Sequence, residues 1–373
     1  MVKYVFLIDA IRIGGAERLC FDESYELIGR KIENEIVCLS SRKIIDGSIL
    51  EVDKNFDYLR FVKLSFAGES RFRQLIHLAR ILIDNRKNEV RIISHSTRGA
   101  VLARIAAKIM FKQIHVTLFI HQLISLSKPS QALKRILHSL FADRISTSSA
   151  QFKTDWLQYT QSNLVLSSFY KKQIDFNRMG VFLPRLHKTE KIDLELCSNH
   201  VAHLIFMSRI TSWKGFPVFQ EICNKIVDDN IHSLALTTEN SRTHIFKAED
   251  FVSENSHYIK NSGVANYDFN CNAVHIYPTD YGPKVKYPQS IGMNVLECLG
   301  LGIGNLISNE SFETWPELRN HPLVRVVDWE NQNLVLKELG EILQMKTENK
   351  LEYSFQLSEV ISIKSHIDRL MEL

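Results

Sequence analysis

The stretch Lys3–Arg18, KYVFLIDAIRIGGAER, decides the fold. Its first seven residues, Lys3–Asp9, make a short apolar run that reads as a buried strand. Continuous apolar character, without polar alternation, fits a strand covered on both faces. Gly14 and Gly15 follow, and glycine lets a backbone turn sharply and approach a ligand closely. An amphipathic stretch then runs to about Arg30. A helix beginning there aims free N–H groups and a partial positive charge at the turn, which suits an anion. The pattern is neither G-x-G-x-x-G nor a Walker A loop, so a turn needed only for packing stays open beside an anion site.

The same unit recurs along the chain. Strand-like runs occupy Asn34–Ser40, Leu59–Ser65, Glu89–His95, Ile114–His121 and Ala142–Ser149, with helical patterns over 71–85 and 97–112. The polar stretch Arg185–His200 lacks a period and reads as a linker. The pattern restarts with Ala202–Arg209, a helix from Gly215, His232–Thr238, Ala273–Thr279, a helix from about Ile291, Gly304–Ser308 and Leu323–Trp329. A last helix is predicted over 354–373. Strands separated by helices of 10 to 15 residues argue for βαβ units and a parallel sheet. The expectation is an α/β chain of two tandem Rossmann-like domains facing each other across a cleft. The domains are an N-terminal one over 1–185 and a C-terminal one over 200–355. Residues 356–373 form a C-terminal helix that can pack back on the first domain. Ligands of such sheets sit beyond the carboxyl ends of the strands.

The 373 residues are 45% hydrophobic and 24% charged, the composition of a soluble globular protein with ample core. No apolar run approaches the roughly 18 to 20 residues of a membrane span, and the N-terminus lacks a signal-peptide cleavage site. Six cysteines occur without a C-x-x-C pair, which points to a reduced, cytoplasmic protein with no structural zinc. The net charge of +4 hides an asymmetry. Residues 1–180 hold 28 Lys and Arg against 17 Asp and Glu, and the remainder holds 18 against 25. Arg71–Arg135 alone carries 13 basic residues opposed by Asp84 and Glu89. Arg104, Lys108 and Lys112 recur every four residues and share one helix face, while Val101, Leu102, Ile105, Ala106 and Ile109 form the apolar face expected in the core.

Two further segments carry candidate chemistry. In FMSRITSWKGF, Arg209 closes a strand and Lys214 opens the next helix. A guanidinium fork and an ammonium beside a helix N-terminus suit a diphosphate, and a pair of solvated cations is the plain alternative. In YPQSIGMNVLECLGLGIGNLIS, Tyr287–Ser308, Gly292 and Met293 begin a helix and Glu297 lies about 7 Å further along its axis. Glu297 is a lone carboxylate among apolar neighbours, either paired by the protein or held for a ligand, and a carboxylate suits a ribose diol. Gln289 lies eight positions before it.

Taken in order, GGAER, R…KG and P…G-x-x-x-L-E-x-x-x-x-G resemble the GT-B-fold glycosyltransferases of the family 4 group, from Gly14 to about Ser308. The resemblance implies a retaining, hexosyl-type transferase that moves a sugar from a nucleoside-diphosphate donor. It implies that Arg209 and Lys214 hold the diphosphate, that Gly14 and Gly15 border the donor, and that Glu297 holds the ribose. Gly292 and Met293 would lie beside the donor sugar. His121, at a strand end, matches a place where the family often has a histidine facing that sugar, and a structural histidine is the alternative. His95 is a weaker candidate of the same kind. Gln289 stands where the family pattern has a glutamate that contacts the donor sugar, a departure that bears on sugar identity and catalysis. Lys284 and Lys286 read as solvated loop lysines.

No D-x-D pair occurs, so no metal and no cofactor beyond the nucleotide sugar is expected. Arg209, Lys214 and helix amides would meet the charge of the leaving diphosphate. The acceptor implied is a glycan or lipid-linked sugar of surface-polysaccharide synthesis. The basic region 71–135 would meet an anionic inner membrane face peripherally. A degenerate GT-B binding subunit and a sugar-nucleotide epimerase or hydrolase are the alternatives. Nucleic acid is not expected, since aromatic residues are sparse in the basic half.

Overall fold

The structure is a computed structural model. It describes residues 2–11, 14–40, 49–121, 129–148, 150–162, 174–187, 202–208, 214–226, 230–237, 255–260, 264–267, 269, 272–278, 291–308 and 315–372. The chain forms two compact units. Unit 1 comprises Met1–Ile45, Asp57–Met179 and Ile363–Leu373, and unit 2 comprises Asp46–Phe56 and Gly180–Ser362.

The described strands are β1 (Val2–Ile8), β2 (Asn34–Cys38), β3 (Leu64–Phe66), β4 (Glu89–Ser94), β5 (His115–Ile120), β6 (Arg144–Thr147), β7 (Ile174–Phe176), β8 (Ala202–Phe206), β9 (Ile231–Thr237), β10 (Ser256–Lys260), β11 (Ala273–Tyr277), β12 (Gly304–Ile307) and β13 (Val324–Val326). The described helices are α1 (Gly15–Gly29), α2 (Ile49–Val52), α3 (Arg71–Asp84), α4 (Thr97–Ile109), α5 (Pro129–Ser139), α6 (Ala150–Ser162), α7 (Leu183–Leu186), α8 (Phe216–Lys225), α9 (Met293–Gly300), α10 (Gln332–Leu343), α11 (Thr347–Ile361) and α12 (Ile363–Met371).

Unit 1 is built on a seven-stranded parallel sheet in the order β3-β2-β1-β4-β5-β6-β7. Unit 2 has six parallel strands in the order β10-β9-β8-β11-β12-β13. Each order reverses once, between β1 and β4 and between β8 and β11, as in a Rossmann sheet. The two-domain α/β reading of the sequence is thus the observed fold.

In unit 1, Val5, Leu7, Val37, Ile92, Val116 and Leu118 pack against Leu78, Leu82 and a run of alanines on α4. Those small side chains, Ala100, Ala103, Ala106 and Ala107, let α4 lie close on the sheet. The close approach corrects the expected core face. Leu102 and Ala106 are buried, whereas Ile105 and Ile109 are exposed on the far side. In unit 2 the pleat of β8 sends Leu204 and Phe206 to a core shared with Phe216, Phe219 and Leu339. It sends Ile205 to a second core with Leu234, Leu236 and Cys298.

Helix α1 is not the amphipathic helix its sequence suggests. Every residue from Arg18 to Leu27 is buried. The reason is α12, which packs on it from the far end of the chain. Arg30 is held by Glu26 at 2.7 Å and by Asp368 of α12 at 2.5 Å. The single final helix predicted over 354–373 is in fact α11 and α12, parted at Ser362, whose extended backbone pairs with Val181. The strand expected over Leu59–Ser65 also moves. Asp57–Phe61 is a 3-10 turn, and β3 lies later. Tyr58 explains the shift, because its ring meets Tyr25 of α1 edge-on at 6.4 Å. Strands β7 and β10 were not legible in the sequence. Both are sheet edges, where a short strand needs little apolar character.

Candidate functional site

Each sheet gathers polar groups at its carboxyl edge, where ligands of such sheets bind. In unit 2, Met207 and Pro278 directly follow β8 and β11 at the reversal of strand order. Lys214 and Gly215 lead into α8, and Gly215 has φ +77, a left-handed conformation. A Cβ on Gly215 would lie 2.6 Å from the carbonyl oxygen of Pro278. Only glycine lets this turn press against the end of β11, and that contact fixes Lys214 at the edge. The entrance of α9 is tied to the same place. Asn294 Nδ2 donates to the Met207 carbonyl at 2.6 Å, next to Gly292 and Met293. The edge of unit 2 therefore brings together Lys214, the N-terminus of α8, and Gly292–Met293. Arg209 and Gln289 lie outside the described residues, as do Lys284 and Lys286.

Glu297 has a partner within unit 2. Arg185 Nη2 donates to its Oε1 at 2.6 Å, and both side chains are buried. This corrects the picture of a carboxylate kept unpaired for a ligand, and it removes Arg185 from the linker. Arg185 lies on α7, whose Leu186 packs so tightly on α9 that a Cβ on Gly300 would meet it at 2.6 Å. The signal in the sequence was VFLPRL, an arginine inside an apolar run, the same kind of anomaly that Glu297 presented.

In unit 1 the carboxyl edge holds His95 after β4 and His121 after β5. Gly14 caps α1 in extended backbone, and Gly15 is its exposed first residue. Asp9, after β1, accepts from Ser96 Oγ at 2.9 Å and from Arg98 Nη2 at 2.7 Å. His121 is not isolated. Its Nε2 lies 2.7 Å from His95 Nδ1. His95 Nε2 lies 2.7 Å from Glu23 Oε2, and His366 Nε2 lies 2.7 Å from Glu23 Oε1. His366 Nδ1 donates to the Arg178 carbonyl at 2.8 Å. His95, Glu23 and His366 have side chains no more than 1% exposed.

The electrostatics of this row follow from its contacts. Burial alone would raise the Glu23 carboxyl, but its contacts with His95 and His366 outweigh it and bring the group down to about 2. Burial pushes His121 well below the ordinary histidine range. Cys20 lies beside them, its thiol pushed up by burial and by Glu23. Cys20, Glu23 and His95 bring possible ligand atoms within 4.8 Å of one another. Two ligands about 2.0–2.2 Å from one tetrahedral ion would stand roughly 3.4 Å apart. The 2.7 Å contact between Glu23 and His95 is a hydrogen bond instead. The sequence marks His121 and His95 by their strand ends and leaves Glu23 and His366 unmarked. No local pattern marks a pair 343 positions apart.

The expected basic stripe on α4 is partly consumed. Arg104 bonds to Asp143 and to the carbonyls of Phe141 and Ile114, and Lys112 bonds to the carbonyls of Asn85 and Asn88. Lys108 stays exposed. Among the described residues no helix is long and apolar enough to cross a membrane.

No protein-family model matches the chain, and no curated protein is similar to it in sequence. Solved structures do match. An alpha-glucosyltransferase in complex with UDP superposes with a TM-score of 0.70 at 12% identity, covering 100% of this chain and 99% of that one. The same enzyme with UDP and a 13-mer DNA gives 0.69 at 12% identity, over 100% and 98%. Anabaena Alr3699/HepE in complex with UDP-glucose gives 0.65 at 11% identity, over 99% and 98%. At such identities the likeness concerns fold, and it establishes two parallel-sheet α/β units of the GT-B kind over the whole chain.

Proposed function

We propose that the chain is a glycosyltransferase that moves a sugar from a UDP or GDP donor to a glycan or lipid-linked acceptor, with retention of configuration. The observation that carries this reading is the full-length fold likeness to proteins held with UDP and UDP-glucose, joined to Lys214–Gly215 at the strand-order reversal of unit 2. In the reaction the bond from the anomeric carbon to the diphosphate oxygen breaks. An acceptor hydroxyl oxygen bonds to that carbon, and its proton leaves with the departing phosphate. Lys214, Arg209 and the free amides of α8 would neutralise the charge that develops on the diphosphate. A carboxylate has about four lone-pair directions, so the ribose hydroxyls would share Glu297 with Arg185, which holds it in place. Within unit 1 the reading assigns His121 a hydroxyl of the donor sugar and gives Gly14 and Gly15 close backbone approach to the donor.

On the acceptor side, α3 and α4 support a membrane-linked substrate. Phe72 and Ile76 on α3 are exposed, as are Ile105, Lys108 and Ile109 on α4 and Phe111 just past it, with Phe72 at 71% and Phe111 at 99%. Apolar wedges among cations suit an anionic bilayer surface.

Calorimetry with UDP and GDP tests the donor site. Lys214→Ala and Arg209→Ala are each expected to weaken binding by more than about 1 kcal/mol, the scale of a charge-assisted hydrogen bond. Unchanged affinity in both variants removes the reading. Gln289, an amide where the resembled pattern has a carboxylate, favours one second reading, a binding subunit without turnover. Incubation with labelled UDP- and GDP-sugars and a panel of glycan, lipid-linked and DNA acceptors separates the two. Transfer supports the enzyme, and tight nucleotide binding without any transfer supports the subunit. Sugar release or isomerisation without acceptor would mark a hydrolase or epimerase.

A further inference from the structure

The row His366–Glu23–His95–His121 runs from the last helix of unit 1 to the carboxyl edge of its sheet, and its contacts specify where the protons are. His366 Nδ1 faces a carbonyl oxygen, so it carries a proton. Its Nε2 faces the ionised Glu23 carboxylate, so it carries one too. His366 is therefore an imidazolium, and with Glu23 it makes a neutral buried pair. His95 must donate from Nε2 to the other carboxylate oxygen. A single proton then lies between His95 Nδ1 and His121 Nε2. A second buried cation would have no counter-charge, so His95 is neutral and that proton belongs to His121 Nε2. His121 Nδ1 is left as a bare lone pair, and among the described residues it has no hydrogen-bond partner. The groups beside the row are Cys20 on α1 and the Phe119 ring, 4.8 Å from His121 and 5.4 Å from His366. Neither supplies a second negative charge to balance another buried cation.

We infer that His366 is a positioning residue that sets the tautomer of His121 through Glu23 and His95, so that His121 presents an acceptor nitrogen to a hydroxyl of the bound sugar. The second half rests on the donor-site reading above; the first half does not. A rigid acceptor at this point selects a ligand with a hydroxyl there over one lacking it. Replacing His366 by a neutral donor removes the counter-charge of Glu23. His95 then takes up a proton from solvent, donates from Nδ1, and drives the His121 proton onto Nδ1.

The test is long-range 1H–15N correlation spectroscopy of the histidine-labelled full chain at neutral pH, with and without His366→Gln. The wild-type spectrum is expected to show His366 protonated on both nitrogens and His121 on Nε2 only. In H366Q, His95 becomes doubly protonated and His121 switches to its Nδ1–H form. A neutral His366 in the wild type, or a His121 already protonated on Nδ1, overturns the inference without any variant. One bound metal ion per chain by elemental analysis overturns it as well. Donor kinetics test the second half. His121→Gln and H366Q are each expected to lower kcat/KM for the sugar nucleotide about ten-fold, the loss of one hydrogen bond, while affinity for UDP alone is unchanged. A tautomer switch with unchanged kcat/KM keeps the relay and removes His121 from the donor sugar.

Discussion

Arg185 Nη2 and Glu297 Oε1 meet at 2.6 Å in the interior of unit 2, joining a four-residue helix to the helix at the carboxyl edge of the sheet. Neither charge is tolerable there alone. Arg185→Ala strands the carboxylate and is expected to destabilise the protein by about 3–5 kcal/mol. The double variant Arg185→Met, Glu297→Gln is expected to recover much of that loss, because no unpaired charge remains. Unfolding by urea, followed by tryptophan fluorescence, measures both. Equal destabilisation in the single and double variants would show that packing around Gly300, rather than charge, dominates.

Gly215→Ala places a side chain at φ +77 and within 2.6 Å of the Pro278 carbonyl. Strain of this kind costs about 1–3 kcal/mol. The turn is expected to move away from β11 and take Lys214 with it. UDP affinity should then fall along with the melting temperature. A fall in stability alone would separate the turn from the donor site.

His275 is buried between β11 and β12, donating from Nδ1 to Asn305 Oδ1 at 2.8 Å, and burial pushes it down from 6.5 to about 4. The folded protein keeps this imidazole neutral, while the unfolded chain protonates it as pH drops below 6.5. Stability is therefore expected to fall by roughly 3 kcal/mol between pH 6.5 and 4, with no further loss from this group below. Glu23 acts in a lower window. Its folded value of about 2 against 4.5 holds stability above 4.5 and loses it as pH falls toward 2. Denaturant midpoints taken across pH should show two steps, and His275→Gln should flatten the upper one.

Phe111 sits just past α4 at φ +48, with the Lys112 amide reaching back to the Ala107 carbonyl at 2.9 Å. This helix-ending geometry favours glycine, and a bulky residue there costs about 1–2 kcal/mol. Phe111 gains no burial in return, being 99% exposed. Phe111→Gly is expected to raise stability by about 1 kcal/mol and to weaken co-sedimentation with vesicles rich in anionic lipid. Vesicle binding that ignores both lipid charge and this substitution would rule out α4 as a membrane contact.

Much of the fold was legible because parallel strands buried on both faces must be apolar throughout, and turns that press on a sheet edge must be glycine. Lys3–Asp9, Ala202–Arg209 and Lys214–Gly215 each carried that local necessity in their own letters. Glu297 was legible as an anomaly, a charge in an apolar helix, but its answer was not. Arg185 lies 112 positions away, in a stretch whose own letters read as linker.

By itself the sequence determined two parallel α/β units and the turn that sets Lys214 at a sheet edge, since backbone conformation and apolar burial are properties of neighbouring residues. Tertiary structure alone decided which charges neutralise which. Glu23 is held ionised by His95 and by His366, and the second of these arrives from the other end of the chain. Electrostatics in a dry interior act through space, and no local spacing encodes them.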